Sequence, residues 1–155
     1  MNMTKTDFIL KYIKKYFGFL YEKNYKIQSV DYHPDAFGNW EVLFESSECV
    51  IQIAMDRDEL FVEFIPLHGG QDNRIGLKSM IYYISQGHIF ISSFKGNLFW
   101  GRKKQFERYS NLLREYIDQI APYFGDDFYK YKDDLLSAQK RYNSLAIEKY
   151  IQEKK

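Results

Sequence analysis

The chain predicts an α+β domain: an antiparallel meander of three or four strands packed against an N-terminal helix and two long C-terminal helices. Three observations carry this. "NWEVLFES" (39–46) alternates strictly, with Trp40, Val42 and Phe44 on one side and Glu41, Leu43 and Glu45 on the other. "ECVIQIAM" (48–55) and "ELFVEFIP" (59–66) flank the polar turn Asp56-Arg57-Asp58, a hairpin signal. Beyond Lys103 the apolar residues recur at spacings of three and four.

The elements follow in order. Thr4 with Asp7 three positions on forms a capping box, and Phe8, Ile9, Tyr12, Ile13, Tyr16, Phe17 and Leu20 then mark one helical face with lysines opposite. "YKIQSVDYH" (25–33) reads as the first strand. The connections between strands are short, which makes neighbours antiparallel. A helix is expected over "IGLKSMIYYISQ" (75–86), with Leu77, Met80, Ile81 and Ile84 inward and Gly87 as its stop. "HIFISSF" (88–94) fits either a last short strand or an irregular segment. A helix through Phe106, Tyr109, Leu112, Leu113, Tyr116, Ile117 and Ile120 ends at Pro122. The last helix starts after Asp126 and Asp127, whose charge suits a helix N-terminus, and is expected to pair antiparallel with the one before it.

Composition narrows the class. At 155 residues the chain reads as one domain, residues 1–155, large enough to bury a core without disulfide or metal. Aromatics make up 19% of it, so Phe and Tyr must fill volume that Leu and Val usually fill. Cys49 is the only cysteine; it reads as a small buried hydrophobe, and its solitude points to a reducing cytoplasm. No apolar run reaches the roughly 18 residues of a spanning helix, and Lys11, Lys14 and Lys15 interrupt any signal-peptide core. No membrane partner is expected.

Motifs of enzymes are incomplete. "PLHGGQDNR" (66–74) resembles the His-Gly-Gly loop of esterases, but the Gly-x-Ser-x-Gly elbow that such a loop serves is missing. Its glycines also suit a sharp turn, with Asp72 or Asn73 capping the helix that follows. His33-Pro34-Asp35 matches the tripeptide of J-domain cochaperones, yet a strand pattern follows it where a helix is required. His33, His68 and His88 lack metal-ligand spacing, and no nucleophile–base pair is marked. No enzyme activity, metal or cofactor is implied.

Charge layout is the most informative feature. Residues 1–27 carry six lysines against two acids, a net of +4; residues 31–72 carry ten acids against Arg57 alone, a net of −9. Residues 73–108 carry seven basic groups against Glu107, a net of +6, and residues 109–155 balance at eight each. A sheet packed on helices by one face turns the other to water. Glu41, Leu43 and Glu45 are expected there, joined by Glu48, Asp56, Asp58 and Glu59 from the strand ends and by Phe61 and Glu63. Which side of 59–66 points outward stays open, because both carry apolar residues. Acids around apolar anchors suit a basic protein partner; the same acids also suit pairing with this chain's own basic segments. A second function class rests on "FWGRKKQFER" (99–108), where Trp100, Arg102, Lys103, Lys104 and Arg108 could meet nucleic acid or another anion.

Phe37-Gly38-Asn39 before a strand, then Asp56-Arg57 in a hairpin before an aromatic strand, make residues 36–64 similar to small bacterial proteins that include immunity partners of polymorphic toxins. The resemblance implies a cytoplasmic, non-enzymatic protein that binds and blocks a cognate toxin; the sequence fits a monomer or a homodimer. It assigns no functional residue. A protein partner, such as a basic toxin domain, is therefore taken first and nucleic acid second.

Overall fold

The structure, a computed structural model, describes residues 2–92 and 101–154. It is α+β. A five-stranded antiparallel sheet runs in chain order, β1 (Lys26–His33), β2 (Asn39–Glu45), β3 (Val50–Asp56), β4 (Glu59–Ile65) and β5 (Ile75–Gly76). Among the described residues five α-helices accompany it: α1 (Lys5–Phe17), the single turn α2 (Phe19–Glu22), α3 (Leu77–Ile84), α4 (Gly101–Ile120) and α5 (Phe128–Glu153). The predicted meander is present as β1–β4. The two-residue β5 adds to it, taking Ile75 and Gly76 from the start of the expected helix, which begins at Leu77.

Alternation decides which side of each strand is dry. Trp40, Val42 and Phe44 of β2 align with Met55, Ile53 and Ile51 of β3, and these with Leu60, Val62 and Phe64 of β4; all nine are buried. This face packs on Ile9, Ile13 and Phe17 of α1, Leu77, Met80 and Ile81 of α3, and Phe106, Leu113 and Ile117 of α4 in one core. Aromatic rings supply much of the contact. Phe106 stacks on Trp40 with centroids 6.1 Å apart and on Tyr16 at 5.3 Å, and Phe64 stacks on Phe124 at 5.4 Å. Phe8 and Tyr12, expected on the inner face of α1, sit at its rim, 44% and 39% exposed, with the Tyr12 ring stacked on Phe106.

Local signals set the boundaries. Thr4 and Asp7 make the reciprocal capping box, Asp7 N–H donating to Thr4 Oγ1 at 3.1 Å and Thr4 N–H to Asp7 at 3.0 Å. That contact holds the Asp7 carboxyl below its usual value. After α3, Gly87 takes φ +81°, a left-handed conformation that favours glycine, and its N–H donates to Tyr82 O at 2.8 Å. Residues 88–92 are irregular, so no strand forms there; the remainder of the 88–94 segment lies outside the described residues.

Two expectations about the helices change. The helix after the loop is capped by Gly76 without a side chain, because it begins at Leu77, beyond the reach of Asp72 and Asn73, and Asn73 Nδ2 donates instead to Gly69 O at 2.8 Å. The long helices α4 and α5 do not form the expected hairpin: α3 meets both, and α5 lays most of its contact on α3. The Ala121–Phe124 turn, forced by Pro122, redirects the chain before α5 can run back along α4.

One edge of the sheet is finished by a side chain. β5 pairs with Glu63 and Phe64, and at the other end of β4 Gln105 of α4 bonds one backbone group of β4 and one of the turn before it. Leu60 N–H donates to Gln105 Oε1 at 2.8 Å, and Gln105 Nε2 donates to Asp58 O at 2.8 Å. The amide imitates a neighbouring strand.

Candidate functional site

The second face of the sheet is built by the alternate residues of the same strands. Register puts Asp31, Glu41, Ala54 and Phe61 in one row across β1–β4, and Ser29, Leu43, Gln52 and Glu63 in the next. Glu63 is level with Gly76 of β5. Towards the hairpin tips the face ends in Asp56 and Glu59; at the opposite end Val50 and Ile65 are buried. β4 therefore turns Glu59, Phe61 and Glu63 outward, which resolves the orientation that its doubly apolar sequence left open. Asp31, Glu41, Glu45, Asp56, Glu59 and Glu63 outnumber the basic Lys26 on the strands of this face.

Ala54 lies between Glu41 and Phe61, and its small side chain leaves a dip. The resulting open hollow, about 370 Å³, is lined by Glu41, Gln52, Ala54, Phe61, Glu63 and Arg74, with His33 and Asp56 towards one side. Gln52 is 3% exposed, and its Nε2 donates to Glu41 Oε2 at 2.7 Å. Among the described residues its Oε1 has no hydrogen-bond partner, a costly condition for a buried acceptor. Beside it Glu63 faces Arg74, Oε2 to Nε 3.8 Å. Burial raises the Glu63 carboxyl above its ordinary value, against the pull of the Arg74 guanidinium.

The hairpin tips at one end of this face are tied together. Asn39 Nδ2 donates to Asp56 Oδ1 at 2.9 Å, and Arg57 N–H donates to Asn39 Oδ1 at 2.9 Å. The Arg57 guanidinium lies over the Phe37 ring, 4.9 Å from its centroid. Thus the Phe37-Gly38-Asn39 and Asp56-Arg57 segments, far apart in the chain, meet in space and hold each other.

Of the predicted partner-facing residues, Glu41, Leu43, Glu45, Asp56, Glu59, Phe61 and Glu63 share the outer face. Asp58 does not belong with them, because at the β3–β4 turn it is engaged by Arg102, whose Nη2 lies 2.6 Å from Oδ1. Glu48 sits in the β2–β3 loop, at the end of the sheet remote from the hollow. Gln52, Ala54 and Arg74 escaped the sequence reading. Gln52 was the available signal: it is the one polar residue inside the apolar run "VIQIAM".

The basic segment divides. Arg102 pairs with Asp58, so its charge is met within the chain, while Trp100 lies outside the described residues. Lys103, Lys104 and Arg108 are exposed on α4. Lys103, with Lys5, borders a small hollow of about 140 Å³ walled by Phe8, Tyr12 and Phe106.

The residues that most resembled enzyme machinery take structural positions. His68 is exposed, with Nε2 3.5 Å from Asp126, and its backbone carbonyl accepts from Tyr129 Oη at 2.9 Å. The Gly70 φ of +68° gives the loop its turn, and a Cβ on Gly69 would stand 2.8 Å from the Pro66 ring. Cys49 is fully buried against Tyr25 Oη at 3.2 Å, and burial pushes its thiol up to about 12, far from a thiolate at neutral pH. Among the described residues no three His, Cys, Asp or Glu are grouped to hold a metal, and no helix is long and apolar enough to cross a membrane. Comparison with family models, curated proteins and solved structures finds no match.

Proposed function

We propose that this chain is a non-enzymatic binding protein of immunity type, which captures a basic domain of a cognate toxin on the outer face of its sheet. One observation carries the reading. Among the described residues the face opposite the packed core is open over its middle and hairpin end, and there carboxylates surround the half-buried apolar Leu43 and Phe61. The acids accelerate encounter with a positive surface, and the apolar side chains supply contact once it docks. A sheet face with its backbone bonded on both sides of each inner strand holds these groups rigidly, which limits the entropy lost on association. The segment of 36–64 that resembles immunity proteins supplies β2, β3, most of β4 and the tied hairpin tips, so the likeness and the surface lie in the same part of the chain.

The test reverses the charge of the face without touching the core. Tagged wild-type chain and the triple variant Glu41→Lys, Glu45→Lys, Glu63→Lys are used for capture in the native host, with circular dichroism checking the fold. The wild type should recover a basic protein whose toxicity it suppresses on co-expression, and the variant should bind it at least ~100-fold more weakly, as charge repulsion at several positions predicts. Equal capture and protection by a folded variant would overturn the surface assignment.

A further inference from the structure

The hollow around Ala54 carries more than negative charge, and its chemistry narrows what enters it. Gln52 Oε1 is a buried acceptor with no donor among the described residues, held in place because Nε2 of the same amide is committed to Glu41. That bond fixes the orientation of the amide, since reversing it would set an oxygen against a carboxylate. Among the described residues Glu41 accepts one of the several hydrogen bonds a carboxylate can take, and Glu63 lies on the next strand, opposite Gln52. Acceptors therefore converge from three adjacent strands, and the Phe61 side chain forms an aromatic wall beside them. The chain's own Arg74 already reaches in from the rim, but it is half-exposed and only 3.8 Å from Glu63, so it leaves Gln52 unserved.

We propose that the hollow is a receptor for a single guanidinium, the side chain of an arginine projecting from the partner protein. This rests on the reading of the outer face as a partner surface and names the group that anchors it. A planar guanidinium presents several donors in a fork, enough to serve the Gln52 carbonyl and a carboxylate together, and its flat face stacks on an aromatic ring. An ammonium is a compact charge without that fork. To reach Gln52 Oε1 the entering group must part the rim side chains. Arg74, long and held by one extended ion pair, is the one that yields, so the partner's arginine replaces a weaker internal contact.

The probe is the acetylated, amidated tripeptide Gly-Arg-Gly, compared with Gly-Lys-Gly and with Gly-citrulline-Gly, the neutral isostere of arginine. Binding to the full chain is followed by 1H–15N spectra, reading the Gln52 side-chain amide and the Ala54 and Phe61 backbone. The arginine peptide should shift these signals and bind ~10-fold more tightly than the lysine peptide, while citrulline leaves them in place. Two variants alter the hollow at unchanged charge. Ala54→Leu fills it from an outward-facing position, and Gln52→Met removes the unpaired acceptor. Each should weaken the arginine peptide at least ~10-fold, the value of one lost charge-assisted bond. A folded Ala54→Leu protein that binds the arginine peptide as the wild type does, or equal binding of the arginine and lysine peptides, overturns the receptor. Either result leaves the acidic-face reading standing if charge reversal still abolishes partner capture; loss of that charge dependence overturns the broader reading instead.

Discussion

The two faces of the sheet are made by alternate residues of the same strands, and they answer to different constraints. On one face Trp40, Val42, Phe44 and their neighbours on β3 and β4 meet three helices and are buried, while Ile27, Val30 and Tyr32 of β1 are partly buried at its margin. On the other, Glu41, Gln52 and Phe61 line a hollow that has no helix of the described residues in its walls, and a small residue, Ala54, leaves a void where a larger one would fit. A chain selected for stability alone would not keep an unpaired amide oxygen there. The core face explains why the domain holds together; the outer face contains features that folding does not require.

Substitutions at neighbouring positions give the sharpest test of this contrast. Phe44→Ala empties a fully buried site and should cost about 3–5 kcal/mol in urea denaturation, whereas Leu43→Ala, one residue along and on the other face, should cost about 1 kcal/mol or less. Similar losses for both would mean that the outer face is also packed. Next comes the sheet edge. Gln105→Leu keeps the volume of the α4 side chain but strands Leu60 N–H and Asp58 O, and should cost about 2 kcal/mol. Gln52→Met combines two opposed effects, relief of an acceptor left without a donor among the described residues and loss of the 2.7 Å bond from Nε2 to Glu41, and should change stability by about 1 kcal/mol or less. A clear loss of stability would show that the amide serves the fold.

The smallest effect concerns protons. Folding raises the Glu63 carboxyl above its ordinary value of 4.5 through burial, against the influence of Arg74. The folded chain therefore holds this proton to higher pH than the unfolded chain does. The group's contribution is complete below the ordinary value and is lost as pH rises through the raised one. Glu63→Gln should remove that part of the decline, so the denaturation midpoints of variant and wild type should draw apart, in favour of the variant, as pH rises from the ordinary carboxylate value towards neutrality. A constant difference across that window would mean that Glu63 titrates alike in both states.

Much of the core face was legible in the sequence, and for a physical reason. "NWEVLFE" reports which side is dry because its polar and apolar residues alternate without exception, and the Thr4–Asp7 pair reports a helix start because both partners are local. β4 withheld its orientation, since Leu60, Val62 and Phe64 alternate with Phe61 and Ile65 and both sets are apolar. β5 was hidden by its length: two residues have no period. The separation of α4 from α5 is a property of what α3 occupies, and no spacing within either helix records it. The outer face itself was visible as an excess of acids, but its hollow depends on Ala54 and on Arg74 arriving from a distant loop. Gln105 was equally silent, because a glutamine on a helix does not announce that it ends a sheet.

The chain-order pairing of the sheet has a consequence for how the protein is made. Every strand binds the one that precedes it, so the whole meander can assemble once Gly76 has left the ribosome. At that moment α4, which begins at Gly101, has yet to be synthesised in full. The newborn sheet therefore waits with part of its greasy side bare and with the free rim of β4 lacking its glutamine stopper, a template for any passing strand. The interval between Gly76 and Ile120 is the period when this polypeptide is most adhesive, and a helper that shelters nascent chains would act on it there.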